Sequence, residues 1–130
     1  MLPDLAAGDD LPPVTLDIDY RRVVHNAAAT WDWFPGHHNP DYARSQGQRT
    51  IYLSTLFYHG LIDRAVTEWL GQDAVISRRE MRMQRSIYAG QTATVCARRS
   101  GEGATATLSG NVVGDDGPAV SFTVATRARR

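Results

Sequence analysis

Apolar positions follow one period before residue 71 and another after it. Phe57, Leu61, Ala65 and Trp69 recur at steps of four, with Ile62, Val66 and Leu70 as an adjacent row. Those two rows predict a helix over 55–70 that is buried along most of its length. Ser54 or Thr55 can cap its start, and Gly71 stands where a C-terminal glycine belongs. Beyond Gly71 the period is two. Met81 and Met83 alternate with Glu80, Arg82 and Gln84. Ala93, Val95 and Ala97 alternate with Thr92, Thr94 and Cys96. Ala104, Ala106 and Leu108 alternate with Thr105, Thr107 and Ser109, and Val120, Phe122 and Val124 with Ser121 and Thr123. The separators Tyr88-Ala89-Gly90-Gln91, Ser100-Gly101-Glu102-Gly103 and Gly114-Asp115-Asp116-Gly117-Pro118 are turn-like. Four antiparallel strands joined by hairpins are predicted.

The first half is less regular. Val14, Leu16 and Ile18 alternate with Thr15 and Asp17, as in a strand. Asp19 can cap a short helix over about 20–29, with Val23, Val24, Ala27 and Ala28 on its apolar side. Residues 1–13 read as a loose leader, and Trp31 to Gly47 as an irregular stretch. Pro40 can start one or two helical turns within it, ended by Gly47. The layout is α+β in one domain, 1–130, with the sheet wrapped around the long helix because nothing else can cover it. One sheet face and its edges stay open, which predicts pairing with another copy or a relative.

Composition narrows the classes. Hydrophobic residues make up 42% and charged residues 22%, as in soluble globular domains. Fourteen basic and fourteen acidic residues cancel, so no global field gathers nucleic acid. The basic residues beyond position 60 lie along strand-like segments, a solvated face that still offers contacts to the phosphates of a carrier such as coenzyme A. The single Cys96 excludes an internal disulfide framework and reads as a small packing residue. No signal peptide and no apolar run near 18 residues are seen, so no membrane contact and a cytoplasmic location are expected.

Candidate chemistry gathers in Trp31-Asp32-Trp33-Phe34-Pro35-Gly36-His37-His38. Asp32 and His37 are five apart, with a proline and a glycine between them that let the chain fold back. A carboxylate beside an imidazole suits proton transfer near neutral pH. The other reading makes Asp32 a turn cap and His37 a packing residue. His37 and His38 together raise the question of metal, but no ligand set has the usual spacing, so His38 is given a supporting role and no metal is expected. His59-Gly60 is the second feature. Glycine in a helix needs a reason. Either the Gly60 N–H receives an oxyanion near a helix N-terminus, or Gly60 lets the helix lie close to the sheet. Trp31, Trp33, Phe34, Tyr52, Phe57 and Tyr58 either line an apolar tunnel or serve as core or dimer contacts.

Taken in order, these features resemble the MaoC-like (R)-specific enoyl-CoA hydratase family of hot-dog proteins. Its motif, Asp-x-Asn-Pro-x-His, fits Asp32-Trp33-Phe34-Pro35-Gly36-His37 at Asp, Pro and His, and His59-Gly60 fits the later His-Gly. Phe34 stands where the motif has asparagine. The runs 51–55, 60–64 and 67–71 look like the short actinobacterial MaoC-like proteins. Some of those act on CoA thioesters in sterol side-chain breakdown, paired with a second hot-dog chain that lacks the acid/base pair.

The resemblance implies a hot-dog fold and an enoyl-CoA hydratase. Asp32 and His37 would activate one water, the Gly60 N–H would bind the thioester oxygen, and His59 and Tyr52 would lie on the substrate side. No cofactor is implied beyond the coenzyme A of the substrate. The implied assembly is a homodimer, or a heteromer with a second MaoC-like chain. Competing readings are a hot-dog thioesterase and a non-catalytic partner subunit.

Overall fold

The computed structural model describes residues 10–130. Its elements are β1 (Val14–Ile18), α1 (Tyr20–Thr30), a 3-10 turn (Pro35–His37), α2 (Pro40–Ser45), α3 (Thr55–Leu70), β2 (Ala74–Met83), β3 (Gln91–Glu102), β4 (Thr105–Gly114) and β5 (Gly117–Ala128). The five strands form one antiparallel sheet in the order β1-β3-β4-β5-β2.

That order corrects the four-strand hairpin series. Only β3, β4 and β5 run as a meander. β3 already has β1 on one side (Val14 opposite Val95) and β4 on the other (Val95 opposite Val112), so β2 has no place beside it. β2 pairs with β5 at the far edge instead, from Ala74 opposite Ala128 to Met83 opposite Val120. The stretch read as a β2–β3 turn is a crossover. It is tied to the approach to α3 by Leu53 N–H to Ile87 C=O (3.1 Å) and Ala89 N–H to Ile51 C=O (3.0 Å).

α3 supplies the centre of the core with Tyr58, Leu61, Ile62, Ala65, Val66 and Trp69. They pack in one cluster with inward strand residues such as Val95, Leu108, Val112, Val120 and Val124. The period-two alternation is what puts those residues on a single face. The same alternation turns Cys96 outward between Val95 and Ala97, so it is exposed and not a packing residue. Tyr58 is fully buried, its hydroxyl accepts from the Ile87 N–H, and burial pushes its pKa up to about 12.

The leader expected over 1–13 divides in two. Residues 1–9 lie outside the described residues. The rest is docked and not loose: Leu11 is buried, its N–H bonds to Ala97 C=O (2.9 Å), and the Trp69 indole donates to Pro12 C=O (2.7 Å). Among the described residues no helix is long and apolar enough to cross a membrane.

Candidate active site

The turn after α1 sets the position of Asp32. Trp31, the residue past the helix end, adopts the left-handed conformation (φ 57°), and the Asp32 N–H returns to Ala27 C=O (3.0 Å). Pro35 then begins a 3-10 turn, closed by His37 N–H to Phe34 C=O (3.0 Å). Gly36 has a steric reason: a Cβ there would stand 2.5 Å from the Tyr52 hydroxyl oxygen. The Tyr52 N–H also bonds to Gly36 C=O (3.2 Å), so the bend is held against the strand-like segment before α3.

His37 and Asp32 meet across this bend, with Nε2 and Oδ2 3.5 Å apart. The other imidazole nitrogen, Nδ1, lies 2.7 Å from Tyr52 C=O. A carbonyl only accepts, so Nδ1 carries the proton, and in the neutral ring Nε2 is a free base facing the carboxylate. Two acceptors at that separation can share one water, which donates a proton to each. The His37 side chain is 10% exposed and that of Asp32 32%, so the pair is open to solvent on the carboxylate side. The rings of Phe34 and Tyr52 stand edge-on to His37, at 5.7 and 5.0 Å between centroids. Partial burial, and then Tyr42, Tyr88 and Asp32 nearby, raise the pKa of the Tyr52 hydroxyl, which keeps it a donor at neutral pH.

The N-terminus of α3 follows Tyr52 by three residues. Ser54 is its N-cap, yet its hydroxyl bonds to no α3 N–H. That hydroxyl instead accepts from the Asn26 amide on α1 (2.7 Å). The Thr55 and Leu56 N–H groups stand in the first turn, where a helix offers no acceptor of its own. They form a place for a developing negative oxygen.

That placement corrects the expectation for Gly60. α3 starts at Thr55, so Gly60 is its sixth residue and its N–H is committed to the i−4 carbonyl. Close approach to the sheet is not the reason for Gly60 either, because a Cβ there would meet nothing within 4 Å. His59 is not free to serve substrate. Its Nδ1 accepts from the Arg79 guanidinium (2.7 Å), which also pairs with Asp63. Burial and then Arg79 lower the pKa of His59, favouring the neutral ring. His38 turns away from His37 and donates from Nε2 to Trp33 C=O (3.0 Å), bracing the loop from outside. Among the described residues, no three His, Cys, Asp or Glu side chains gather at one place.

The aromatics split by position. Tyr58 is core, whereas Trp31, Trp33 and Phe34 are 80%, 54% and 46% exposed around Asp32. Ser54 stands at the cap as the sequence suggested, but Asn26, which draws its hydroxyl away and leaves the α3 turn uncapped, was missed in the sequence. They lie 28 positions apart, and no local pattern links them.

No family model matches the chain. A Mycobacterium tuberculosis (strain ATCC 25618 / H37Rv) protein, the 3-oxo-4,17-pregnadiene-20-carboxyl-CoA hydratase beta subunit, is 37% identical over 87 residues, 67% of this chain and 67% of the relative. A chain of the ChsH1-ChsH2 complex from Mycobacterium tuberculosis superposes with TM-score 0.89 at 30% identity, covering 95% of this chain and 98% of that one. The (R)-hydratase from A. caviae involved in PHA biosynthesis gives TM-score 0.85 at 16% identity over 96% of this chain and 98% of its own, a likeness of fold. On this sequence identity and shared architecture, the chain belongs to the MaoC-like hydratase family of hot-dog proteins.

Proposed function

We propose that this chain hydrates a 2-enoyl-CoA thioester reversibly, with Asp32 and His37 as the acid/base pair. The observation that carries the reading is the 3.5 Å approach of His37 Nε2 to Asp32 Oδ2, with Nδ1 anchored on a main-chain carbonyl. A water between the two donates to both. One takes a proton as the water oxygen adds to the β-carbon, and the α-carbon receives a proton on the same face. Charge moves onto the thioester oxygen, which the Thr55 and Leu56 N–H groups would stabilise. The thioester itself acidifies the α-carbon, so this chemistry calls for no resident metal or redox cofactor.

The exposed Trp31, Trp33 and Phe34 favour a large apolar acyl group, in keeping with the steroid-like thioester named for the Mycobacterium tuberculosis relative. Phe34 replaces an amide beside the pair with an apolar edge. β2 is an edge strand with an unpaired outer side, and the two relatives are a beta subunit and a member of a two-chain complex. A second hot-dog chain paired with this one fits both facts. A cytoplasmic location follows from the proposed substrate, since acyl-CoA thioesters are made and used there.

The test is direct. The protein, alone and with a second hot-dog chain, is incubated with crotonyl-CoA and with a bulky enoyl-CoA. Loss of enoyl absorbance without thiol release is expected, and Asp32→Asn or His37→Ala should each lower kcat by about two orders of magnitude or more. Thiol release would establish a thioesterase, and full activity of a complex carrying either variant would make this chain a non-catalytic partner.

A further inference from the structure

A groove of about 590 Å³ runs between α1 and the first turn of α3, within the size range of small-molecule sites. Asn26 and Phe57 line it at the α3 end, and Arg21, Arg22 and His25 line it along α1. Asn26 is the residue whose amide holds the Ser54 hydroxyl, so this end of the groove lies beside the N-cap of α3.

Most other cations among the described residues are engaged, Arg82 and Arg130 excepted. Arg44, Arg49, Arg64, Arg78, Arg79 and Arg98 pair with carboxylates. Arg85, Arg99 and Arg129 donate to main-chain carbonyls. Among the described residues, the guanidiniums of Arg21 and Arg22 and the ring of His25 have no such partner. The one carboxylate in the groove, Asp19, is engaged as the α1 N-cap by the Arg22 N–H (2.7 Å). Two adjacent guanidiniums in a ligand-sized groove match phosphate oxygens, which take their paired donors bidentately. Arg21 and Arg22 stand in the first turn of α1, about 12–14 Å along the helix axis from its far end, which leads into Asp32, so they stand well back from the proposed reacting end.

We propose that the α1–α3 groove seats the phosphorylated pantetheine arm of the thioester, with Arg21 and Arg22 on its phosphates and Phe57 against the arm. This deepens the hydratase reading and rests on it for where the thioester lies. The arm occurs in coenzyme A and, with one phosphate, on acyl carrier proteins.

The experiment measures KM on the full chain for three crotonyl thioesters: of coenzyme A, of phosphopantetheine, and of pantetheine without phosphate. In the unaltered protein the coenzyme A thioester should have a KM lower than the phosphate-free one by about tenfold or more. That ratio should fall towards one in Arg21→Glu/Arg22→Glu, and partway in the milder Arg21→Gln/Arg22→Gln. A phosphopantetheine KM close to that of coenzyme A supports the arm shared with carrier proteins as the occupant, and one close to the phosphate-free value would move the contacts to the nucleotide end and overturn the proposal. Calorimetric binding of free coenzyme A reports the groove without chemistry: it should persist in Asp32→Asn and weaken about tenfold or more in the Arg21→Glu/Arg22→Glu variant. It would still do so if the hydratase reading failed. An unchanged KM ratio, or unchanged coenzyme A affinity in a folded double variant, overturns the proposal.

Discussion

β5 and the loop 31–34 are both rich in large apolar side chains, and they place them oppositely. In β5, Val120, Phe122 and Val124 are 0%, 4% and 0% exposed, laid on one face by a regular backbone. In the loop, Trp31, Trp33 and Phe34 are 80%, 54% and 46% exposed, and Trp31 occupies a left-handed conformation that usually favours glycine. The strand uses apolar area for folding. The loop holds it in solvent beside Asp32 and His37, at a cost in backbone strain at Trp31. Burial therefore separates side chains that stabilise the fold from side chains that are free to meet a ligand, as the proposed function requires.

The largest test of this contrast is in the core. Ile62→Ala, at a fully buried α3 position, should lower stability by about 2–5 kcal/mol in denaturant unfolding. A loss under about 1 kcal/mol would mean that α3 is not the centre of packing.

Gly36→Ala probes the join between the two regions. The added methyl enters the space of the Tyr52 hydroxyl, so a loss of about 1–3 kcal/mol is expected, together with lower kcat as His37 shifts. Adding Tyr52→Ala should recover most of the lost stability. Simple additivity of the two substitutions would show that they do not touch.

Trp31→Gly should act in the other direction. It relieves a left-handed non-glycine residue and should raise stability by about 1 kcal/mol, while raising KM for a bulky enoyl-CoA. An unaltered KM would remove Trp31 from substrate contact.

The smallest effect concerns pH. His59 has a lowered pKa in the folded chain, so the fold favours its neutral form. The stability this contributes is present above the ordinary histidine value of 6.5 and is lost as pH falls through the folded pKa. The thermal midpoint of His59→Gln should fall less between neutral and mildly acidic pH than that of the unaltered chain. Parallel curves would rule out His59 as the titrating group.

Much of this architecture could be read from the chain. The rows at steps of four over Phe57 to Leu70 mark α3 because that helix buries one face along its length, and its observed span is Thr55–Leu70. The Pro35-Gly36 bend between Asp32 and His37 was legible for a local reason, since both residues constrain their own backbone. The partner of β2 was not, because a two-residue period says which face is buried and nothing about which edge is vacant. His59-Gly60 misled for a related cause. The dipeptide lies in the first turns of the predicted helix, but only the N–H groups of the very first turn are free, and what leaves them uncapped is Ser54, whose hydroxyl is drawn off by an asparagine on another helix.

The proton on His37 Nδ1 is held by the main chain of Tyr52 and not by a side chain. No substitution at position 52 deletes a carbonyl. The orientation of the His37 ring is therefore insulated from drift in the side chains around it, and under the proposed function the acyl specificity of such a site could be rebuilt, by evolution or by design, without retuning its proton chemistry.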